Sequence, residues 1–134
     1  MQLTLEKPDF EFFLRAADGR SALVNDRALR ASFIVAPDAL IEAWPVRDAA
    51  AMVPADLDPL LALAPELVLL GTGANQAFPP PAVMAACLSR GIGLESMTNA
   101  AAARTYQVLA GEGRRVVAGF VLAPAPGAPR RDPS

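Results

Sequence analysis

Apolar and polar positions change their rhythm several times along the chain, and each change predicts an element. In Met1–Gly19, the positions Phe10, Phe12 and Phe13 form a short, imperfect alternation that ends at an Asp18-Gly19 turn. The alternation continues weakly over Ser21–Arg30, with Leu23 and Leu29 as apolar anchors and Asn25-Asp26 as a turn. Ser32–Ala36 (SFIVA) predicts a strand, because aromatic and β-branched side chains suit a pleated, half-buried surface. Pro37-Asp38 interrupts it, and Leu40–Trp44 predicts a second short strand ended by Pro45. These pieces suggest an antiparallel or mixed layer from the first third of the chain.

Val46–Pro54 is a link with some helical content. Leu57, Leu60, Leu61 and Ala64 then recur at the spacing of one helix face, with Asp56 as N-cap and Pro65 limiting the element to roughly two turns. Glu66–Leu70 is apolar without alternation, as expected of a strand covered on both faces. After Gly71-Thr72-Gly73 and an irregular run, Pro81 fits a first helical turn, where its missing N–H removes no hydrogen bond. Ala82–Ser89 completes that helix with Val83, Ala86, Cys87 and Leu88 inward, and Arg90-Gly91 supplies the stop. Ile92–Met97 is another strand. Asn99–Gly113 carries the sharpest helix signal: Asn99 or Thr98 as cap, then four alanines and Arg104, with Ala102, Thr105, Tyr106 and Leu109 at helical spacing. Arg114–Leu122 is the last strand. The remainder, APAPGAPRRDPS, has no period and predicts a disordered tail. This order predicts one compact α/β domain over residues 1–122 and a tail over 123–134. The domain has a mixed central β-sheet packed by helices, parallel pairing of Glu66–Leu70 with Ile92–Met97, and an additional antiparallel β portion from the N-terminal third.

Composition narrows the chemistry. The 134 residues include no histidine and one cysteine, Cys87, which removes Ser-His-Asp and Cys-His catalysis, disulfide frameworks and zinc sites built on several cysteines. The mean hydropathy of +0.30 owes much to 28 alanines. The strongly apolar runs Leu60–Ala64 and Leu67–Leu70 are broken by Pro65 and Glu66, far short of the roughly 20 residues that span a bilayer, so no membrane insertion is expected. The first ten residues hold Glu6 and Asp9 rather than a basic region before an apolar run; no secretory signal is expected, and a cytoplasmic location is the default. With a net charge of −2 and arginines scattered along the chain, no basic stripe marks a nucleic-acid surface.

Glycines at Gly71 and Gly73 after a strand can let backbone N–H groups approach an anion. The dinucleotide fingerprint needs a third glycine where Gln76 stands, and an immediate helix, so what remains is another anion or small-ligand crevice, or a tight strand-end turn. Glu95 and Arg104 are placed to approach across a strand–helix connection, as a binding patch or as a structural clamp. Thr98-Asn99 either caps the helix or lines a polar cleft. Tyr106 suits a part-core position with its hydroxyl on a polar partner. Cys87, on an apolar face without a base, suits inert packing. Asp48, Asp56 and Asp58 lack the dense, regular spacing of a calcium loop. Trp44 is either core or an exposed anchor for a partner. No catalytic residue, metal ligand or cofactor is assigned.

Several of these residues together resemble a known family. They are Gly71-Thr72-Gly73, the proline run before the helix, Gly91-Ile92-Gly93 with Glu95 and Met97, Ala101-Ala102, Arg104-Thr105-Tyr106, and Leu109 with Glu112-Gly113-Arg114; SFIVAPD and Trp44-Pro45 fit the same pattern. Across nearly the whole chain except the tail, the sequence resembles the Mth938-like family of small bacterial proteins, of DUF498 type, whose mitochondrial relatives include an assembly factor for respiratory complex I. The chain departs from the family's usual pattern at Thr98, Asn99, Ala103 and Gln107, where aspartate, threonine, cysteine and asparagine are common. The resemblance implies a compact α/β fold and a role in binding proteins rather than in catalysis. Its candidate partner-binding or ligand-binding residues are Gly71, Thr72, Gly73, Gln76, Glu95, Arg104, Thr105 and Tyr106. The leading expectation is a non-catalytic interaction or assembly domain that assists membrane or respiratory complex biogenesis. The alternatives are a small-ligand or anion-binding domain using the crevice near residues 71–76, 95 and 104, and an enzyme of unfamiliar mechanism. The protein partner has no assigned identity, and a homodimer is the common arrangement for proteins of this size.

Overall fold

The computed structural model describes residues 10–124. Strands β1 (Leu14–Ala17), β2 (Ala22–Val24) and β3 (Arg27–Leu29) form an antiparallel meander. Strands β4 (Phe33–Ala36), β5 (Ala39–Ile41), β6 (Leu67–Gly71), β7 (Gly93–Met97) and β8 (Val116–Phe120) form a second sheet in the order β5-β4-β8-β6-β7. In it β6 runs parallel to both β7 and β8, while β4 runs antiparallel to β5 and β8. Three helices complete the domain: α1 (Asp58–Leu61), α2 (Pro81–Leu88) and α3 (Asn99–Gly111). The mixed central sheet and the antiparallel N-terminal portion are those the apolar pattern predicts. The carboxyl ends of β5, β6, β7 and β8 meet the start of β4 at one edge of the sheet.

Alternation along β8 shows why its sequence is apolar throughout. Val116, Ala118 and Phe120 turn to one face with Phe33, Val35 and Leu69, and are covered by Ala102, Tyr106 and Ala110 of α3 and by Leu14, Val24 and Leu29 of the meander. The rings of Phe33 and Phe120, paired in register across β4 and β8, stack at 5.1 Å. Val117 and Val121 turn to the other face with Ile34, Val68 and Leu70, under Trp44, Leu57, Leu60, Val83 and Cys87. Burial on both faces removes the need for polar alternation. Gly119 lies on this second face: a Cβ there would come within 2.6 Å of the Trp44 ring, so the missing side chain is what seats the indole on the sheet.

Several local expectations are corrected. In the meander, Ala22 and Val24 are buried and Leu23 is half-exposed, because pairing with Ala28 turns Leu23 to the outer face. The second strand covers Ala39–Ile41 rather than Leu40–Trp44. The tight Pro37-Asp38 turn makes Ala36 and Ala39 direct partners, and the chain then leaves the ladder, returning once where Trp44 N donates to Ser32 O at 3.1 Å. The link holds a 3₁₀ turn over Ala49–Ala51, capped by Asp48, whose carboxylate accepts from Ala50 N. Asp56 does not cap α1; it lies inside a 3₁₀ turn over Pro54–Leu57 and accepts from Val53 N at 2.9 Å. Leu88 is 63% exposed, because Val83 and Cys87, four residues apart, define the inward line of α2 and Leu88 falls to one side of it. Leu122 is buried and Ala123 N still donates to Gly19 O, so the folded backbone extends a residue past the expected boundary. Residues 1–9 of the N-terminal segment and 125–134 of the expected disordered tail lie outside the described residues.

Ala64 is also not on the apolar helix face: it is exposed, with φ of +54°, and reverses the chain after α1. A left-handed alanine is strained by its Cβ, and glycine relieves that strain at the expense of a more flexible unfolded chain. Ala64→Gly is therefore expected to raise stability by about 0.5–1 kcal/mol, read as a higher urea midpoint with an unchanged slope.

Candidate functional site

Gly71 ends β6 in register with Met97 and Phe120, so the Gly71–Gly73 turn lies at the carboxyl edge of three parallel strands. Its polar backbone groups are bonded inward. Thr72 N donates to Met97 O (2.9 Å), Gly73 N donates to Asn99 Oδ1 (3.1 Å), and Gly71 O accepts from Val121 N (2.9 Å). Side chains then pin the loop that follows. Thr72 Oγ1 accepts from Ala77 N (3.0 Å) and lies 2.8 Å from Asn75 O, while Gln76 Nε2 donates to Ser96 O on β7 (3.1 Å). Gly71 is required by this closure, since a Cβ on it would collide with Asn99 Oδ1 and come within 2.8 Å of the Phe120 ring. Gly73 has φ of +110°, a conformation that favours glycine.

The residue that organises the turn is Asn99, whose role the sequence did not reveal. Thr98, not Asn99, caps α3, its hydroxyl accepting from Ala101 N at 3.2 Å. Asn99 is fully buried, and its amide ties three separate segments together. Oδ1 accepts from Gly73 N, and Nδ2 donates to Asp18 O (2.8 Å) and to Val121 O (2.9 Å). The available signal was positional: once threonine takes the cap, an adjacent asparagine followed by alanines has no local partner to satisfy. The β1–β2 turn that Asn99 holds is itself ordered by the Asp18 carboxylate, which accepts from Arg20 N and Ser21 N, both at 2.8 Å. Those backbone donors hold the Asp18 carboxyl below the ordinary aspartate value.

The other candidates separate. Glu95 is exposed on β7, whereas Arg104 is exposed on α3 over β1, in a depression bordered by Leu14, Arg15, Ala17 and Val108. None of the three ion pairs among the described residues joins them, so the expected clamp is not formed. Thr105 Oγ1 donates to Ala101 O (2.9 Å) and lies 3.5 Å from Met97 Sδ. Gln107 Oε1 accepts from Leu14 N, fastening α3 to β1. Cys87 is buried, and that burial pushes its thiol pKa up, a smaller opposing pull coming from Arg90. Among the described residues no group of three acidic or cysteine side chains is placed to hold a metal ion, and no helix is long and apolar enough to cross a membrane.

Tyr106 is fully buried and donates its hydroxyl to Phe12 O at 2.9 Å. Burial pushes its phenol far above the ordinary value of 10, with the Asp38 charge adding and Arg115 opposing. Ionisation is then easier in the unfolded chain, so the stability from this buried phenol is complete below about pH 10 and is lost as pH rises beyond it. Because Tyr106 is the single tyrosine, phenolate absorbance is expected to be silent near pH 10 in the folded protein and to appear there once urea unfolds it.

The architecture defines a small α/β domain in which a mixed sheet is roofed by a helix and a meander on one face, and an asparagine locks the carboxyl edge. Residues 14–121 match the family described as protein of unknown function (DUF498/DUF598), and the chain belongs to that family. Protein XCC1710 of Xanthomonas campestris is similar at 53% identity, with a TM-score of 0.80 over 98% of this chain and 100% of that one. A Mth938-like domain protein of Bordetella pertussis, solved in solution, has 26% identity and a TM-score of 0.76 over 98% of this chain and 100% of that one. An uncharacterized protein of Rhodobacter capsulatus is 45% identical over 75 residues, 54% of this chain and 59% of that protein. The chain spans 59% and 49% of the lengths of the two curated relatives it matches.

Proposed function

We propose that the domain acts by binding a protein, as an interaction or assembly module, and that Phe78 is the centre of its contact surface. Phe78 is 68% exposed on a loop that Thr72, Gln76 and the buried Pro79 hold in place beside the edge strand β7. That observation carries the proposal: a large aromatic side chain exposed to water on a loop whose backbone is already pinned gains from being covered, and the loop loses little freedom on binding. In this arrangement Gly71, Thr72, Gly73 and Gln76 position the loop, Glu95 is exposed on β7, the strand to which Gln76 ties it, and Thr105 and Tyr106 keep α3 fixed behind the sheet. Arg104 belongs to a different surface and is the natural control. On the resemblance noted in the sequence, we extend the proposal to a cytoplasmic factor acting on subunits of membrane or respiratory complexes.

The test is affinity capture of the tagged protein from cell extract that includes solubilised membranes, with Phe78→Asp and Arg104→Ala variants of verified fold. A reproducible set of subunits, retained by Arg104→Ala and lost by Phe78→Asp, is the expected result. Undiminished capture by Phe78→Asp overturns the assigned surface. A measured turnover abolished by Arg104→Ala in a folded protein overturns the non-catalytic role.

A further inference from the structure

We infer that a second site, a cleft of about 510 Å³ at the edge of the sheet where β4 begins and β5 and β8 end, binds a small amphipathic carboxylate. Its lining comes from three distant stretches of chain, among them Arg30 and Ser32, then Trp44, Val46 and Arg47, then Leu122. The volume falls within the range of roughly 300–1,000 Å³ typical of small-molecule sites.

Charge identifies the head group of the ligand. Arg30 and Arg47 border the cleft, and none of the ion pairs among the described residues engages either one. Of the carboxylates nearest along the chain, Glu42 pairs with Arg27, and Asp48 caps the 3₁₀ turn through Ala50 N and forms no ion pair with Arg47. Two guanidinium groups that stand outside every ion pair among the described residues favour an anion, and their planar forks match a carboxylate. Ser32 adds a third group. It is buried, its Oγ accepts from Leu122 N at 2.9 Å, and its own proton has no acceptor among the described residues. A carboxylate oxygen would supply one. The body of the ligand follows from the remaining walls, which are apolar: Ala31, Ala43 and Pro45 are exposed at the mouth, over a floor of Trp44, Val46 and Leu122 that keep only a few per cent of their surface open. Trp44 is firmly placed, its Nε1 donating to Asp56 O at 3.0 Å and its ring seated over Gly119, so the cleft is preformed. A site with an anion-binding rim and an apolar floor selects a molecule with both parts.

The single tryptophan makes the test direct. The full chain is titrated with octanoate, acetate (head only) and 1-octanol (tail only), following Trp44 emission and, independently, the heat of binding. Octanoate is expected to bind saturably, at least about tenfold more tightly than either control, and more weakly as salt is added. Arg30→Gln and Arg47→Gln, at exposed positions and checked by circular dichroism, are each expected to weaken octanoate binding about tenfold, while Arg15→Gln on the meander leaves it unchanged. Absence of saturable octanoate binding, octanol binding as tight as octanoate, or undiminished binding by the Arg30→Gln/Arg47→Gln double variant overturns the inference. Phe78→Asp is expected to have no effect here, so this outcome is read separately from the protein-binding surface.

Discussion

Asn99→Ala is expected to lower the unfolding free energy by about 3–5 kcal/mol, a large share of the stability of a small domain. Three backbone groups lose their partner at once: Gly73 N–H, Asp18 C=O and Val121 C=O. Each polar group left unsatisfied out of water costs roughly 1–3 kcal/mol, and replacing the amide by a methyl also leaves a void. Water reaching the half-buried Asp18 and Gly73 bonds moderates the total, which is why the sum falls short of its upper limit. Asn99→Asp separates hydrogen bonding from volume. It keeps an acceptor for Gly73 but turns a carboxylate toward two carbonyl oxygens, so it is expected to be at least as damaging at neutral pH. The check is urea denaturation followed by circular dichroism. A loss below about 1 kcal/mol for Asn99→Ala would mean that the three segments are held by packing alone.

Gly119→Ala is expected to cost about 3 kcal/mol. Its Cβ would lie 2.6 and 2.7 Å from two atoms of the Trp44 ring and 3.3 Å from Leu60 Cδ2. Gly119 is on the central strand, paired to Ile34 on one side and Leu70 on the other, so the backbone has little freedom to withdraw. The ring must move instead, giving up its bond to Asp56 O and its cover over the second core face. Overpacking of this kind typically costs about 1–3 kcal/mol, and the lost hydrogen bond adds to it. Displacement into water should shift Trp44 emission to the red. A Gly119→Ala/Trp44→Leu double variant makes room for the added methyl and should be less destabilised than the sum of its parts, which a double-mutant cycle measures. Additive losses would show that the indole is not what fixes glycine at this position.

The parts of the fold that were legible were those in which local preference and tertiary environment agree. The continuous apolar run at Leu67–Leu70 announced a strand covered on both faces, that within Arg114–Leu122 a strand buried on at least one, and the alanines after Asn99 announced α3. Elements failed where a geometric detail decides. Leu88 and Ala64 looked apolar enough for a core, but the phase of a short helix and one left-handed residue placed both outside it. The candidate site was legible as a place, the carboxyl edge of the parallel strands, more than as a set of contacts. Glu95 and Arg104 stand close along the chain, yet α3 presents Arg104 in line with Ala100 and Val108, toward β1. Asn99 resembled an ordinary cap because only the folded topology brings Asp18, Gly73 and Val121 to it. The cleft bordered by Arg30 and Arg47 was invisible for the same reason, since sheet pairing alone joins residues 30–32, 44–47 and 122.

The position of β8 has a consequence for how the domain is made. Among the described residues, the strand that comes last in the chain is the middle strand of the sheet, between β4 and β6. A nascent chain that ends before Val116 holds a β4–β5 hairpin and a β6–β7 pair with nothing to join them, and isolated two-stranded units are marginal in water. Phe33 and Leu69 then lack the Phe120 and Ala118 neighbours that would bury them. The domain therefore gains its cooperativity only when β8 clears the ribosome, and until then two apolar half-sheets stand open to aggregation or to a chaperone.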